Sequence, residues 1–149
     1  MINQNLNIEN ARIIFKNFSG KEDKYNRKGD RNFCVLLDNE TAAKFATDGW
    51  NIRYLNPRDP DELPQAYMPV KVSYEHIPPQ LYLVGTKNKT LFTEETVGSL
   101  DWAEIQRADL VIRPYHWEVN GKTGVKAYLK TGYFLITEDP FAERYNDEE

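Results

Sequence analysis

The sequence predicts a mainly β domain, a small Greek-key barrel with one or two short helices and long loops on its hairpins. Three observations point there. Apolar and polar residues alternate with a period of two in most segments, and helical periodicity is rare. Glycine, proline and Asn/Asp clusters cut the chain into short runs. Two loop-flanked hairpins, at 11–38 and 108–137, bracket the chain as Greek-key barrels require. With 149 residues, 40% of them hydrophobic, the chain can bury one core and forms one domain.

The elements follow in order. ARIIFKNF (11–18) reads as a strand, and SGKEDKYNRKGD after it is a polar, lysine-rich loop. RNFCVLLD (31–38) is the next strand, and its continuous apolar run predicts burial on both faces. Cys34 within it reads as a small buried hydrophobe, with no second cysteine to pair. NETAAKFATDGW offers an N-cap at Asn39, helix formers and a stop at Gly49, hence a short helix. Trp50, directly after it, is assigned to the core.

NIRYL (51–55) reads as a strand, and the three prolines of NPRDPDELPQ make that segment a loop. MPVKVSYE (68–75) alternates, placing Val70, Val72 and Tyr74 on one side. HIPPQ interrupts, QLYLVGT resumes a strand, and a short helix is placed at Glu94 to Leu100. Trp102, in an amphipathic stretch, is assigned to the core. ADLVIRPYHWEV and VKAYLKTGYFLI are two long strands joined by NGKTG.

The net charge of −4 conceals an asymmetry. The last twelve residues, EDPFAERYNDEE, carry −5, which leaves residues 1–137 at +1. The chain therefore divides into a domain, 1–137, and an acidic tail, 138–149. Residues 12–31 hold seven Lys/Arg against three acids, and residues 107–133 hold five against two. No apolar run reaches the roughly 18 residues of a membrane span, and MINQNLNIEN lacks the pattern of a secretion signal, so the expectation is a soluble, cytoplasmic protein.

The last hairpin carries the chemistry. On its second strand Lys126, Tyr128 and Lys130 share one face, and on its first Arg113, Tyr115 and Trp117 do. Bases stack on rings while cations follow phosphates, so this alternation suits a single nucleic-acid strand. Solvent-facing lysines among half-buried tyrosines, ordinary on any antiparallel sheet, fit the same pattern. The first basic segment adds Arg12, Lys16, Lys21, Lys24, Arg27, Lys28 and Arg31 around Phe15, Phe18 and Tyr25. Its loop either closes over a bound strand or is a solvated tip that keeps a sheet edge soluble.

Catalytic patterns are weak. GKTG (121–124) has His116 where a phosphate loop needs glycine, so it is a hairpin turn. His76 and His116 lack the spacing and cysteine partners of a zinc site. The acids of DPDE (59–62) sit in a proline-rich loop, and Glu94 and Glu95 open a helix, where acids favour the N-terminal dipole. Neither cofactor nor metal is expected.

The run NARIIFKNFSGKEDKYNRKGDRNFCVLL, together with HWEVNGKTGVKAYLKTGYF, resembles the small single-stranded-DNA-binding proteins of phage and prophage replication modules. The resemblance spans roughly Asn10 to Ile136. It implies an oligonucleotide/oligosaccharide-binding (OB) barrel, coating of single strands during replication or recombination, and host cytoplasm as the setting. ERYNDEE resembles the acidic tails with which bacterial single-strand binders recruit enzymes, but lacks their long linker and terminal proline-phenylalanine. Recruitment of replication proteins, an inert terminus and occupation of the protein's own groove all remain open for it.

The reading is therefore a non-catalytic, largely sequence-independent binder of single-stranded DNA, with a homo-oligomer compatible and no membrane partner. Bases would stack on Phe18, Tyr25, Tyr115, Trp117 and Tyr128. Phosphates would meet Lys16, Lys24, Arg27, Lys28, Arg113, Lys126 and Lys130. Stacking and phosphate contacts serve RNA equally. The rival reading is an accessory factor that acts on a phage or host enzyme through its acidic surface and tail.

Overall fold

The computed structural model describes residues 4–75, 77–85 and 88–136. The acidic tail and His76 lie outside the described residues. The elements are β1 (Leu6–Ile8), β2 (Arg12–Asn17), β3 (Arg31–Leu37), α1 (Asn39–Asp48), β4 (Arg53–Leu55), β5 (Gln65–Val72), β6 (Gln80–Val84), β7 (Lys89–Leu91), a 3-10 helix (Val97–Asp101), β8 (Ile105–Val119) and β9 (Lys122–Ile136). The mainly β expectation holds. The short strands β1 and β7 lack enough alternation to be visible in sequence, and β5 begins before the expected Met68.

One sheet runs in the order β1-β8-β9-β5-β3-β2, with β4 on β5, and β6 bridging β9 and β7. β5 and β6 follow one another along the same edge of β9 and are parallel to it; the other pairs are antiparallel. Just beyond β1, the Ala11 amide donates to the Ala108 carbonyl at 2.7 Å, bringing the start of β2 back beside β8.

The core fills the inner side of this curl. Phe33, Val35 and Leu37 of β3, Met68 and Val70 of β5, and Ala127 and Leu129 of β9 alternate inward, as the period of two dictates. Full burial of such side chains is worth about 1.5–3 kcal/mol each. β3 is not apolar on both sides as expected: Asn32, Cys34 and Leu36 are half-buried and face the other way. Cys34 is thus not a core residue.

Helix α1 is capped by Asp38, one residue before the expected Asn39. Its carboxylate accepts from the Thr41 amide at 2.7 Å and from the Thr41 hydroxyl at 3.0 Å. Gly49 closes the helix with φ of 105°. Trp50 is buried as expected, but Trp102 is 88% exposed. The predicted helix at 94–100 is a 3-10 turn, in which residues three apart eclipse. Val97 and Leu100 therefore fill the core, and Trp102 falls off that face.

Besides a register shift between Ile105 and Arg107 of β8, a bulge in β2, a bulge in β9 and one turn shape the outer side. β2 gains a residue between Ile14 and Asn17, with Phe15 left-handed at φ of 53°. β9 gains Lys130, because Ile112 pairs with Leu129 and Val111 with Thr131. The long hairpin closes through Asn120 and Gly121, both at positive φ, as a two-residue turn.

Candidate nucleic-acid interface

The outer side of β3, β5, β9 and β8 forms one row, fixed by register. Asn32 pairs with Lys71, Lys71 with Tyr128, and Tyr128 with Arg113. The Arg113 guanidinium lies over the Tyr128 ring at 4.9 Å, and Tyr115 meets that ring edge-on at 5.5 Å. A cation over a ring supports its electron-rich face and leaves charge available to a phosphate. Lys126, opposite Tyr115, stands beside Lys71. Burial, with the Lys126 charge second, holds the Lys71 ammonium below the usual lysine range. Two cations held together in this way form a poor arrangement for an empty surface and a good one for an anion.

Farther along β5, Tyr67 pairs with Leu36 on one side and Arg53 on the other. Phe15, swung outward by its left-handed backbone, meets Tyr67 edge-on at 6.3 Å and is 60% exposed. A bulky residue at positive φ is strained, and such strain concentrates where a side chain has a task.

The loop between β2 and β3 roofs the row. Together they enclose a groove of about 680 Å³, with Tyr25 and Gly29 on the roof, Cys34 and Lys71 on the floor, and Tyr74 and Glu94 at one end. The Cys34 thiol is pushed up by burial, against the lowering influence of Arg53, and is a neutral floor residue. Beside Tyr74 and Glu94, Arg31 lies 5.4 Å from the Tyr74 ring and 3.4 Å from the Glu94 carboxylate.

The loop is built, not loose. Asn26 Nδ2 donates to the Lys21, Arg27 and Asp30 carbonyls at 2.9–3.0 Å. The Gly29 amide donates to the Gly20 carbonyl at 2.8 Å. The Asp101 carboxylate anchors its base by accepting from the Phe18 amide, the Ser19 amide and the Ser19 hydroxyl. Tyr25 is held out at 90% exposure, with the Lys24 ammonium 5.6 Å from its ring.

Of the residues expected from sequence, Tyr25 and Tyr128 line this groove, while Arg113 and Tyr115 adjoin it at the Tyr128 ring and Lys126 beside Lys71. Lys24, Arg27 and Lys28 are exposed on the roof loop, and Arg27 lies 3.5 Å from Asp30. Trp117 sits farther out on the hairpin, its ring laid over Gly124, where a Cβ would come within 2.5 Å of it. Lys130 is exposed at the bulge.

Two expected contacts are corrected. Phe18 is fully buried, stacked on Phe33 at 5.2 Å and edge-on to Phe134, so it offers no ring to a base. Lys16 turns away, donating to the Leu100 and Ala103 carbonyls at 2.9 and 2.7 Å, and so ties β2 to the end of the 3-10 helix.

Sequence reasoning missed Lys71 and Arg53, which line the groove, and the Phe15–Tyr67 ring pair farther along β5. Lys71 had a signal, since the alternation that puts Val70 and Val72 inward puts Lys71 outward. Phe15 had none, because its bulge departs from alternation. Among the described residues no group of three or more His, Cys, Asp or Glu could hold a metal ion, and no helix is long and apolar enough to cross a membrane.

A β floor of alternating rings and cations beneath a basic, ring-bearing loop has the chemistry that suits a single nucleic-acid strand. Residues 1–148 match the family described as "Putative phage ssDNA-binding domain". The chain belongs to this phage single-stranded-DNA-binding family. No curated protein matches it. Its fold is similar to that of the single-stranded DNA-binding protein from bacteriophage Enc34 in complex with ssDNA, at 11% identity and TM-score 0.57 over 93% of this chain and 89% of that one. A C-terminal truncation of the Enc34 protein gives 11% and 0.57 over 92% and 88%, and a further structure of it 12% and 0.55 over 93% and 84%. At these identities the likeness is one of fold.

Proposed function

We propose that the protein binds single-stranded DNA in the groove between the β2–β3 loop and the outer row of β3, β5, β9 and β8, without catalysis and largely without regard to sequence. The row Lys71, Tyr128, Arg113 carries the reading: a ring flanked by two cations on three neighbouring strands, under Tyr25. Stacking on Tyr25, Tyr115, Tyr128 and Phe15 would supply about 1–3 kcal/mol per base, with Arg53, Lys71, Arg113 and Lys126 following the phosphates.

The architecture is that of an OB barrel. The strand order with β5 parallel to β9, and the Ala11 to Ala108 hydrogen bond that draws β2 toward β8, support it. The ligand groove then lies where such barrels use the face of their second and third strands, flanked by the loop between the first two. Membership of a phage family supports a role in coating strands during phage replication or recombination, in host cytoplasm. Residues 1–137 would be the binding domain and 138–149 an appended acidic tail.

The test is fluorescence anisotropy of labelled poly-dT of about 30 nucleotides at two salt concentrations, against a duplex competitor. Tight, salt-weakened binding that resists the duplex is expected. Absence of binding at micromolar protein in low salt would exclude the reading and redirect attention to protein partners of the acidic tail.

A further inference from the structure

A second ring-and-cation cluster lies outside the groove. Tyr82 of β6 and Tyr133 of β9 are register partners whose rings stack at 5.2 Å and 13°. The Lys89 ammonium of β7 sits 4.6 Å from the Tyr82 ring and 5.7 Å from the Tyr133 ring. Tyr133 and Leu91, which pairs with Tyr82, are exposed. Tyr82, Tyr133 and Lys89 lie outside the buried core of the described residues.

Its placement follows from the bulge. Tyr128 and Tyr133 are five residues apart, an odd separation that would put them on opposite faces of a regular strand. The extra residue at Lys130 restores the parity, so that Leu129, Gly132 and Phe134 point inward while Tyr128 and Tyr133 both face outward. The two ring clusters thus share the outer side of one strand, about 16 Å apart at the rise of extended chain. Asp109, the register partner of Tyr133, is already engaged: Arg107 Nε donates to its two oxygens at 3.1 and 3.2 Å, and the Asn10 amide to Oδ1 at 2.9 Å. Among the described residues Lys89 takes part in no salt bridge.

We propose that Tyr82, Tyr133 and Lys89 form a second subsite for the same single strand, which leaves the groove at Tyr128, runs along the outer side of β9, and stacks a base on the tyrosine pair with its phosphate at Lys89. This inference rests on the proposed single-strand function. It makes the length of DNA held by one molecule a consequence of the Lys130 bulge.

The experiment measures affinity for poly-dT of about 4 and about 16 nucleotides, the two ends of the range of site sizes for one OB barrel. The full chain is compared with Lys89→Glu, Tyr133→Ala and the groove variant Tyr128→Ala. Lys89→Glu and Tyr133→Ala are expected to weaken 16-mer binding about tenfold and to leave binding of the short oligonucleotide, too short to reach from the groove to the tyrosine pair, close to the parent, whereas Tyr128→Ala weakens both. Loss of the Lys89 phosphate contact should also flatten the salt dependence of the 16-mer by about 0.7 in log-log slope. Lys89 is exposed, so Lys89→Glu keeps the test decisive if Tyr133→Ala misfolds. Parental 16-mer affinity in Lys89→Glu would overturn the subsite while leaving the groove reading intact. The same holds if that variant changes only the sedimenting mass, which would assign the cluster to contacts between copies. Failure of the parent protein to bind either oligonucleotide would remove the groove reading and the subsite together.

Discussion

Asn32 Nδ2 of β3 donates a 2.7 Å hydrogen bond to Asn26 Oδ1, tying the tip of the β2–β3 loop to the floor of the groove it covers. With the donations of Asn26 Nδ2 to three loop carbonyls, one amide side chain holds the shape from which Tyr25 projects. A loop ordered before binding costs less to order on binding. Asn26→Ala is expected to weaken poly-dT binding about five- to tenfold while lowering stability by about 2 kcal/mol or more, because its side chain makes hydrogen bonds to Lys21, Arg27, Asp30 and Asn32 and each is worth a net of about 0.5–1.5 kcal/mol. Limited proteolysis should show faster cleavage near Tyr25. Unchanged affinity would show that the loop's order is irrelevant to binding.

Lys71 links the groove to pH. Its ammonium is held below the ordinary lysine value by burial and by Lys126, and a phosphate placed beside it would raise it again. The bound state then holds the proton more firmly than the free state. Affinity should be full below the lowered free-state pKa and decline as pH rises toward the bound-state value. For folding the sign is opposite: the unfolded chain keeps this proton longer, so stability contributed by Lys71 rises with pH through the same window. Lys71→Met should remove the alkaline decline in affinity specific to this group, measured by anisotropy across mildly to strongly alkaline pH. An identical pH profile in that variant would exclude Lys71 from the phosphate path.

Phe15 separates binding from stability. At φ of 53° a phenylalanine is strained, whereas asparagine tolerates the left-handed region. Phe15→Asn is expected to melt at or above the parent temperature and to bind poly-dT about 5- to 100-fold more weakly, the range that one lost stacking contact allows. A lower melting temperature with parental affinity would mean that the ring serves packing against Tyr67.

Phe18 should behave in the reverse manner. Fully buried against Phe33 and Phe134, it is a core residue, and Phe18→Ala should cost about 3–5 kcal/mol in denaturant unfolding. Lys16→Met should lower stability by loosening the 3-10 helix, and should leave the salt dependence of DNA binding as it was. A reduced salt slope in Lys16→Met would return Lys16 to the phosphate path.

Much of the outer face was legible because alternation is a local property. The placement of Lys126 and Tyr128 opposite Ala127 and Leu129, and of Arg113 with Tyr115, follows from strand geometry and needs no knowledge of neighbours. The same rule failed where the strand was irregular: at Phe15 and Lys130 a single added residue reverses the faces. It also failed in distinguishing among rings, since Phe15 and Phe18 lie in one basic, aromatic stretch and only packing against Phe33 decides which is buried.

By itself, the sequence determined a mainly β chain, the Asn120-Gly121 hairpin, the helix ending at Gly49, and a basic, ring-bearing character hidden beneath an acidic sum. All of these depend on residues close together in the chain. Only the tertiary structure decided that Lys71 stands between Asn32 and Tyr128, that Asp101 anchors the loop carrying Tyr25, and that Lys16 serves the 3-10 helix. Those partners are 39 to 87 positions apart, and no local pattern encodes a register set by the packing of the whole sheet.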